Sequence, residues 1–169
     1  FNAVVHTGVS ADRMVANCDT ISICLSKGLG APIGSLLVGD EEVIENAHRW
    51  RKMFGGGMRQ AGIIASAGIY SLQNNVVRLG EDHARIRRLA EAISVLDSFS
   101  IDMETVQTNM VYIGVDEEKF SADDVVSKLA NKGIDLLSTG PQDIRAVAHL
   151  DVDDKDIEQA ISVFQSLSH

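Results

Sequence analysis

An amine is a nucleophile only when it is unprotonated, and burial at a strand end beside a tight turn is one of the recurrent ways to lower a lysine pKa. Lys27 stands in such a place, within Leu25-Ser26-Lys27-Gly28-Leu29-Gly30-Ala31-Pro32-Ile33-Gly34-Ser35. A reactive lysine there would form a Schiff base with an aldehyde. Ser-Lys-Gly on its own also occurs in solvated turns, so the motif needs support from elsewhere in the chain. A second constellation supplies it. Arg49, Arg51, Lys52 and Arg59 surround the triple glycine 55–57, ahead of a stretch of small residues with helical character. Glycines admit a ligand close to the backbone and a helix start offers free N–H groups, so this segment reads as an anion cradle with Lys52 and Arg59 adding full charges. Alone, it would read as a flexible connector beside a solvated helix face. The third candidate is Arg145. In a strand over residues 144–150, the two-residue period sends Arg145, Val147 and His149 to one face and Ile144, Ala146, Ala148 and Leu150 to the other. A planar guanidinium is the preferred bidentate partner of a carboxylate.

The elements that position these residues follow from periodicity and punctuation. Residues 2–16 read as helix and loop leading into a strand at 20–25, whose β-branched and apolar residues suit a buried sheet. Lys27 then emerges at the carboxyl end of a strand, where ligands collect in open α/β sheets. Pro32 and its neighbouring glycines mark a turn before a second strand at 35–38, and the acidic run at 40–42 opens a helix. A helix is expected from Met58 to about Leu72, with Ala61, Gly62, Ala65, Ser66, Ala67 and Gly68 allowing close backbone approach. The polar residues 73–75 do not end the helical pattern, which continues through Leu79, Ile86, Leu89, Ala90, Ile93 and Leu96. Glu81 with Arg85 and Arg87 with Glu91 are spaced for i,i+4 pairs on the opposite, solvated face, and His83 reads as structural.

A composition shift near 96–101 places a boundary between the end of a larger domain, residues 1–97 with the long connecting helix, and a small α+β domain, residues 98–169. In the small domain a strand is expected at 106–114, and Ser121 with Asp124 forms a capping box for a helix ending near Gly133. A short strand at 134–137, a turn at 139–141, the Arg145 strand and a final helix capped by Asp153 complete it. The fold class is α/β with an α+β carboxyl-terminal unit.

The 169 residues are 45% hydrophobic and 23% charged, which suits a globular protein with a real core. No run approaches the ~18 apolar residues of a membrane span, and no leader with a cleavage site is visible. A cytoplasmic protein with no membrane partner is expected. The net charge of −9 argues against a nucleic-acid surface. Cys18 and Cys24 lack the spacing of a zinc site or redox pair, so no metal is expected, and Cys24 reads as a small buried hydrophobe.

Taken in order, six segments resemble the low-specificity threonine aldolases, a pyridoxal-phosphate family with the aspartate-aminotransferase-like fold. They are Phe1-Asn2-Ala3, the run from Asp19 to Pro32, the glycine-rich basic segment, Glu81-Asp82-His83-Ala84, Thr108-Asn109, and the run from Arg145 to Val152. The resemblance implies Lys27 as the lysine joined to pyridoxal 5'-phosphate, Lys52 and Arg59 near its phosphate in a site shared between subunits, and Arg145 on the substrate α-carboxylate. Asn109 would approach the site. The implied reaction cleaves L-threonine or L-allo-threonine to glycine and acetaldehyde in a homotetramer, and so serves threonine breakdown and glycine formation. The family's aspartate for the pyridinium nitrogen, its neighbouring arginine, its ring-stacking histidine and its main phosphate loop would all lie before Phe1. The chain therefore resembles the carboxyl-terminal half of such an enzyme, and these residues alone are expected to be inactive. Other readings remain open at this point: a β-eliminating lyase or aminotransferase of the same fold, a catalytically dead paralogue, or an anion-binding module without chemistry.

Overall fold

Two helix starts in the carboxyl-terminal part are written in side chains that satisfy the otherwise unpaired first-turn N–H groups. In the computed structural model, which describes residues 1–168, Ser121 and Asp124 form the expected capping box at the head of α6 (Ala122–Ala130). Asp153 and Asp156 form a second one at the head of α7 (Asp154–Leu167). In both boxes the carboxylates are held below their ordinary pKa: Asp124 chiefly by the Ser121 side chain, Asp153 by the N–H groups of Asp156 and Lys155.

The chain divides into two compact units, Ala3–Arg78 with Phe1, and residues from Leu79 onward with Asn2. The second is built on a four-stranded antiparallel sheet in the order β3 (Phe99–Ser100), β4 (Met110–Val115), β6 (Asp143–Val147), β5 (Leu137–Gly140). Strand alternation buries Val111, Ile113 and Val115 of β4 and Ile144 and Ala146 of β6, against Ile86, Leu89, Ala90 and Ile93 of α5 (Leu79–Ile93), Val125 and Leu129 of α6, and Ile157 and Phe164 of α7. Phe99 meets Phe164 edge to face at 5.1 Å. Burying each such large apolar side chain contributes about 1.5–3 kcal/mol. The charged face of α5 makes the expected pairs, Arg85 with Glu81 and Arg87 with Glu91. Arg85 and Arg88 also reach Asp154 of α7, so this face ties two helices together as well as meeting solvent. His83 Nε2 lies 2.8 Å from Asn2 Oδ1.

The first unit contains α1 (Asn2–Thr7), α2 (Ala11–Met14), an antiparallel pair β1 (Thr20–Cys24) and β2 (Ser35–Gly39), α3 (Glu41–Met53) and α4 (Gly62–Asn74). Asp40 caps α3 by accepting the Val43 N–H at 2.8 Å. Four expectations shift here. The strand before Lys27 belongs to a two-stranded antiparallel ladder among the described residues, so the rule for open parallel sheets does not explain its position. The small-residue helix begins at Gly62 rather than Met58, because the chain turns at Gly55 (φ +78) and Gln60 (φ +56), which leaves the triple glycine short of the helix start. That helix also ends at Asn74: residues 75–78 are turn, and α5 starts afresh at Leu79, with the polar Asn74 and Asn75 at the break. Cys24 is half-buried, its Sγ 3.6 Å from the Ser26 hydroxyl, which lowers its thiol pKa. In the second unit the strands are shorter or later than periodicity suggests, β4 starting at Met110 and β5 at Leu137, because the segments before them close local turns such as Thr105 N–H to the Asp102 carbonyl and Ile134 N–H to the Leu129 carbonyl.

Candidate active site

Lys27 is held by its backbone. Leu25 donates its N–H to the Gly34 carbonyl (2.9 Å) and accepts the Ala31 N–H (3.0 Å), while the Gly30 N–H closes onto the Lys27 carbonyl at 2.8 Å. Gly30 has φ +70, a left-handed conformation that a residue with a Cβ adopts only at a cost. Leu25, Leu29 and Ala31 are buried, and Asn75 Nδ2 donates to the Leu29 carbonyl at 2.7 Å. α4 packs on this turn at Gly68, where a Cβ would stand 2.8 Å from Leu25 Cδ1. The expected close approach to the small-residue helix is thus with the lysine turn itself. Only Gly68 and Ser71 of α4 are buried, so most of its small-residue surface is open. The turn is tied by backbone hydrogen bonds and its lysine side chain projects outward: Lys27 is exposed in this chain, contrary to the buried lysine of the sequence reading. The reason is local, since the buried residues of the turn are its apolar neighbours.

Lys52 lies in the last turn of α3 and Arg59 in the loop before α4; both are exposed. A Cβ on Gly55 or Gly57 would meet nothing within 4 Å, whereas one on Gly56 would stand 2.7 Å from Arg51 Cγ, so the backbone between the two cations is open at its first and third glycines and closed by Arg51 at the middle one. Trp50 and Phe54 stack at 5.9 Å along the same helix end.

Arg145 lies on β6, in the second unit, on the face opposite the core. Its Nε is buried and has no hydrogen-bond partner. The strand ends at Val147, earlier than expected: Ala148 still donates to the Asn109 carbonyl (2.9 Å), but Val152 N–H then closes on the His149 carbonyl and the chain turns into α7. Leu150 is consequently exposed, although the alternation assigned it to the core face. His149 Nδ1 is 3.7 Å from the Asp151 carboxylate, outside the strand. Asn109 is buried, and its Nδ2 donates to the Ala148 carbonyl at 2.9 Å. It pins the end of the strand that carries Arg145, a function that sequence spacing did not reveal.

Among the described residues, Lys27, Lys52, Arg59 and Arg145 make no side-chain hydrogen bond or ion pair, whereas Arg85, Arg87 and Arg88 are all paired with carboxylates. Lys27, Lys52 and Arg59 belong to the first unit and Arg145 to the second. No group of three or more His, Cys, Asp or Glu among the described residues could hold a metal, and no helix is long and apolar enough to cross a membrane.

A strand-borne lysine turn, a basic glycine-rich loop and a separate α+β unit carrying an arginine define a class. Residues 1–116 match the beta-eliminating lyase family, and the chain belongs to it. Within that family it is similar to low-specificity L-threonine aldolases. The protein of that name from Escherichia coli K12 is 48% identical over 152 residues, covering 90% of this chain and 44% of that protein. A probable low-specificity L-threonine aldolase 2 from Arabidopsis thaliana is 38% identical over 170 residues, covering 100% of this chain and 48% of that protein. Among solved structures, one from Listeria monocytogenes, provisionally described as an L-allo-threonine aldolase, superposes with a TM-score of 0.77 at 16% identity, covering 98% of this chain and 49% of that one. That likeness shows the fold. The chain spans about half the length of the curated relatives it matches.

Proposed function

We propose that this chain supplies the lysine-bearing half of a pyridoxal-phosphate-dependent threonine aldolase, a carbon–carbon lyase that cleaves a β-hydroxy-α-amino acid such as L-threonine or L-allo-threonine to glycine and an aldehyde. The observation that carries the reading is the set of four unpaired cations, each on a differently built support, in a chain similar to enzymes of that name. The residues fit the cofactor. Lys27 offers a primary amine on a fixed turn, and Lys52 and Arg59 flank a glycine loop open at Gly55 and Gly57, where two cations suit a phosphate. When bound, pyridoxal phosphate supplies an aldehyde and a ring that accepts the electrons of the breaking carbon–carbon bond.

The chain's own residues do the rest of what can be assigned to them. Lys27 Nζ is the nucleophile that would hold the cofactor through its aldehyde. Arg145 receives the substrate α-carboxylate, which fixes the bond to be broken relative to the cofactor. Lys52 and Arg59 neutralise phosphate charge. The same reading covers Lys27 from solvent in the complete enzyme, and it takes residues 1–97 and 98–169 as the large-domain portion and the small domain. It also makes the enzyme a cytoplasmic homotetramer, in line with the exposed apolar residues Phe54, Ile63, Ile69 and Tyr70 of the first unit.

Product analysis tests the reading. The full-length protein with pyridoxal phosphate should yield equal glycine and acetaldehyde from threonine, and Lys27→Ala should abolish both. A keto acid with ammonia, or transfer of the amino group, would replace this reading by elimination or transamination.

A further inference from the structure

Arg145 is the middle member of a row that crosses the outer face of the four-stranded sheet. Tyr112 of β4 is directly opposite it on one side and Leu137 of β5 on the other. Directly opposed residues of antiparallel strands share a face, with Cβ atoms about 4.5–5.5 Å apart. Tyr112 is 54% and Leu137 50% exposed, so neither serves the core. Arg145 Nε is nevertheless buried and unpartnered. Asp143, two positions earlier on the same face, makes no ion pair with it, so among the described residues no carboxylate of this unit uses the guanidinium.

We propose that Tyr112 and Leu137 are positioning residues that clamp Arg145 from both sides, shielding Nε so that the two terminal nitrogens are presented end-on to a carboxylate. This rests on the reading of Arg145 as the substrate-carboxylate site. A flexible arginine loses rotamer freedom on binding, and two flanking side chains remove much of that freedom beforehand. The tyrosine contributes its ring, since an aromatic face stacks on a guanidinium plane. The hydroxyl is not required. The row therefore selects a planar anion at the substrate's α-carbon over a neutral group of the same shape.

The test uses the full-length, pyridoxal-phosphate-loaded enzyme and compares threonine with threoninamide, together with calorimetric binding of glycine. Tyr112→Ala and Leu137→Ala should each raise KM for threonine about tenfold, weaken glycine binding to a similar degree, and leave kcat within about twofold, the signature of lost positioning in both ground and transition states. Threoninamide turnover and the thermal midpoint should not move, and Tyr112→Phe should restore the threonine KM. If Arg145→Ala erases the preference for threonine while Tyr112→Ala and Leu137→Ala keep it, the clamp is overturned and the carboxylate site stands. If Arg145→Ala itself leaves the preference intact, the carboxylate site fails and the clamp with it. A Tyr112→Phe variant as impaired as Tyr112→Ala would show that the hydroxyl acts, which also overturns the clamp.

Discussion

Lys27 is useful to the proposed chemistry because its backbone is fixed while its amine is free. Three hydrogen bonds hold residues 25–34 in one shape, and none of them involves the side chain. Gly30→Ala therefore attacks the support and leaves the nucleophile in place: a Cβ at φ +70 costs about 1–2 kcal/mol, which should lower the thermal midpoint and the affinity for cofactor together. Lys27→Arg, by contrast, keeps a cation on an intact turn and should leave stability unchanged while abolishing turnover. The sequence made these residues legible as candidates, and the family resemblance is the source of the roles proposed for them. Lys27 exposure was not legible, because burial depends on what covers the turn and the covering residues are not neighbours in sequence. Asn109 illustrates the opposite difficulty: a short resemblance marked it, but only the bond to the Ala148 carbonyl shows that it serves the Arg145 strand.

At the scale of elements, helix caps were read correctly and helix interruptions were not. Ser121, Asp124 and Asp153 announce themselves through local spacing, and the structure forms both boxes. Ser121→Ala should cost the second unit about 1 kcal/mol in a denaturant titration. The capping carboxylates add a pH dependence whose sign is set by their lowered pKa. Asp124 and Asp153 contribute stability above the unfolded carboxylate pKa of about 3.9 and lose it as pH falls through their lower folded values. Helicity of the second unit should accordingly decline as pH drops from about 4 toward 2, and less steeply in an Asp124→Asn, Asp153→Asn double variant, which a circular-dichroism pH titration reads directly. The break between α4 and α5 was missed because apolar periodicity runs across it and no proline or glycine marks it. Strand limits slipped for a similar reason: alternation continues past Val147, while the chain has already begun the turn into α7. Gly68 joins element to site. Alanine there gains helix propensity of about 1 kcal/mol but meets Leu25 Cδ1, the movable end of a side chain, so Gly68→Ala should be near neutral. Gly68→Val cannot be accommodated so cheaply; overpacking of about 1–3 kcal/mol should loosen the Lys27 turn, seen as faster amide exchange at Leu25 and Ala31.

The two units differ as wholes. The second closes a core around Ile113, Ile144 and Phe164, whereas the first leaves large apolar side chains in water, Phe54 at 84% and Ile63 at 77% exposure. Isolated chains should therefore show hydrogen-exchange protection concentrated in α5, β4, β6 and α7, with α4 exchanging quickly, and should not cleave threonine. The large-scale organisation was legible as a mixed α/β chain with an α+β end. The apolar face of α5 packs on β4 and α7 within the second unit. The central claim is that Lys27 is the residue joined to the cofactor. Borohydride reduction of the full-length protein with pyridoxal phosphate, followed by peptide mass spectrometry, tests it most directly: the account predicts one pyridoxyl label, on Lys27, and a label on another lysine or on none would contradict it.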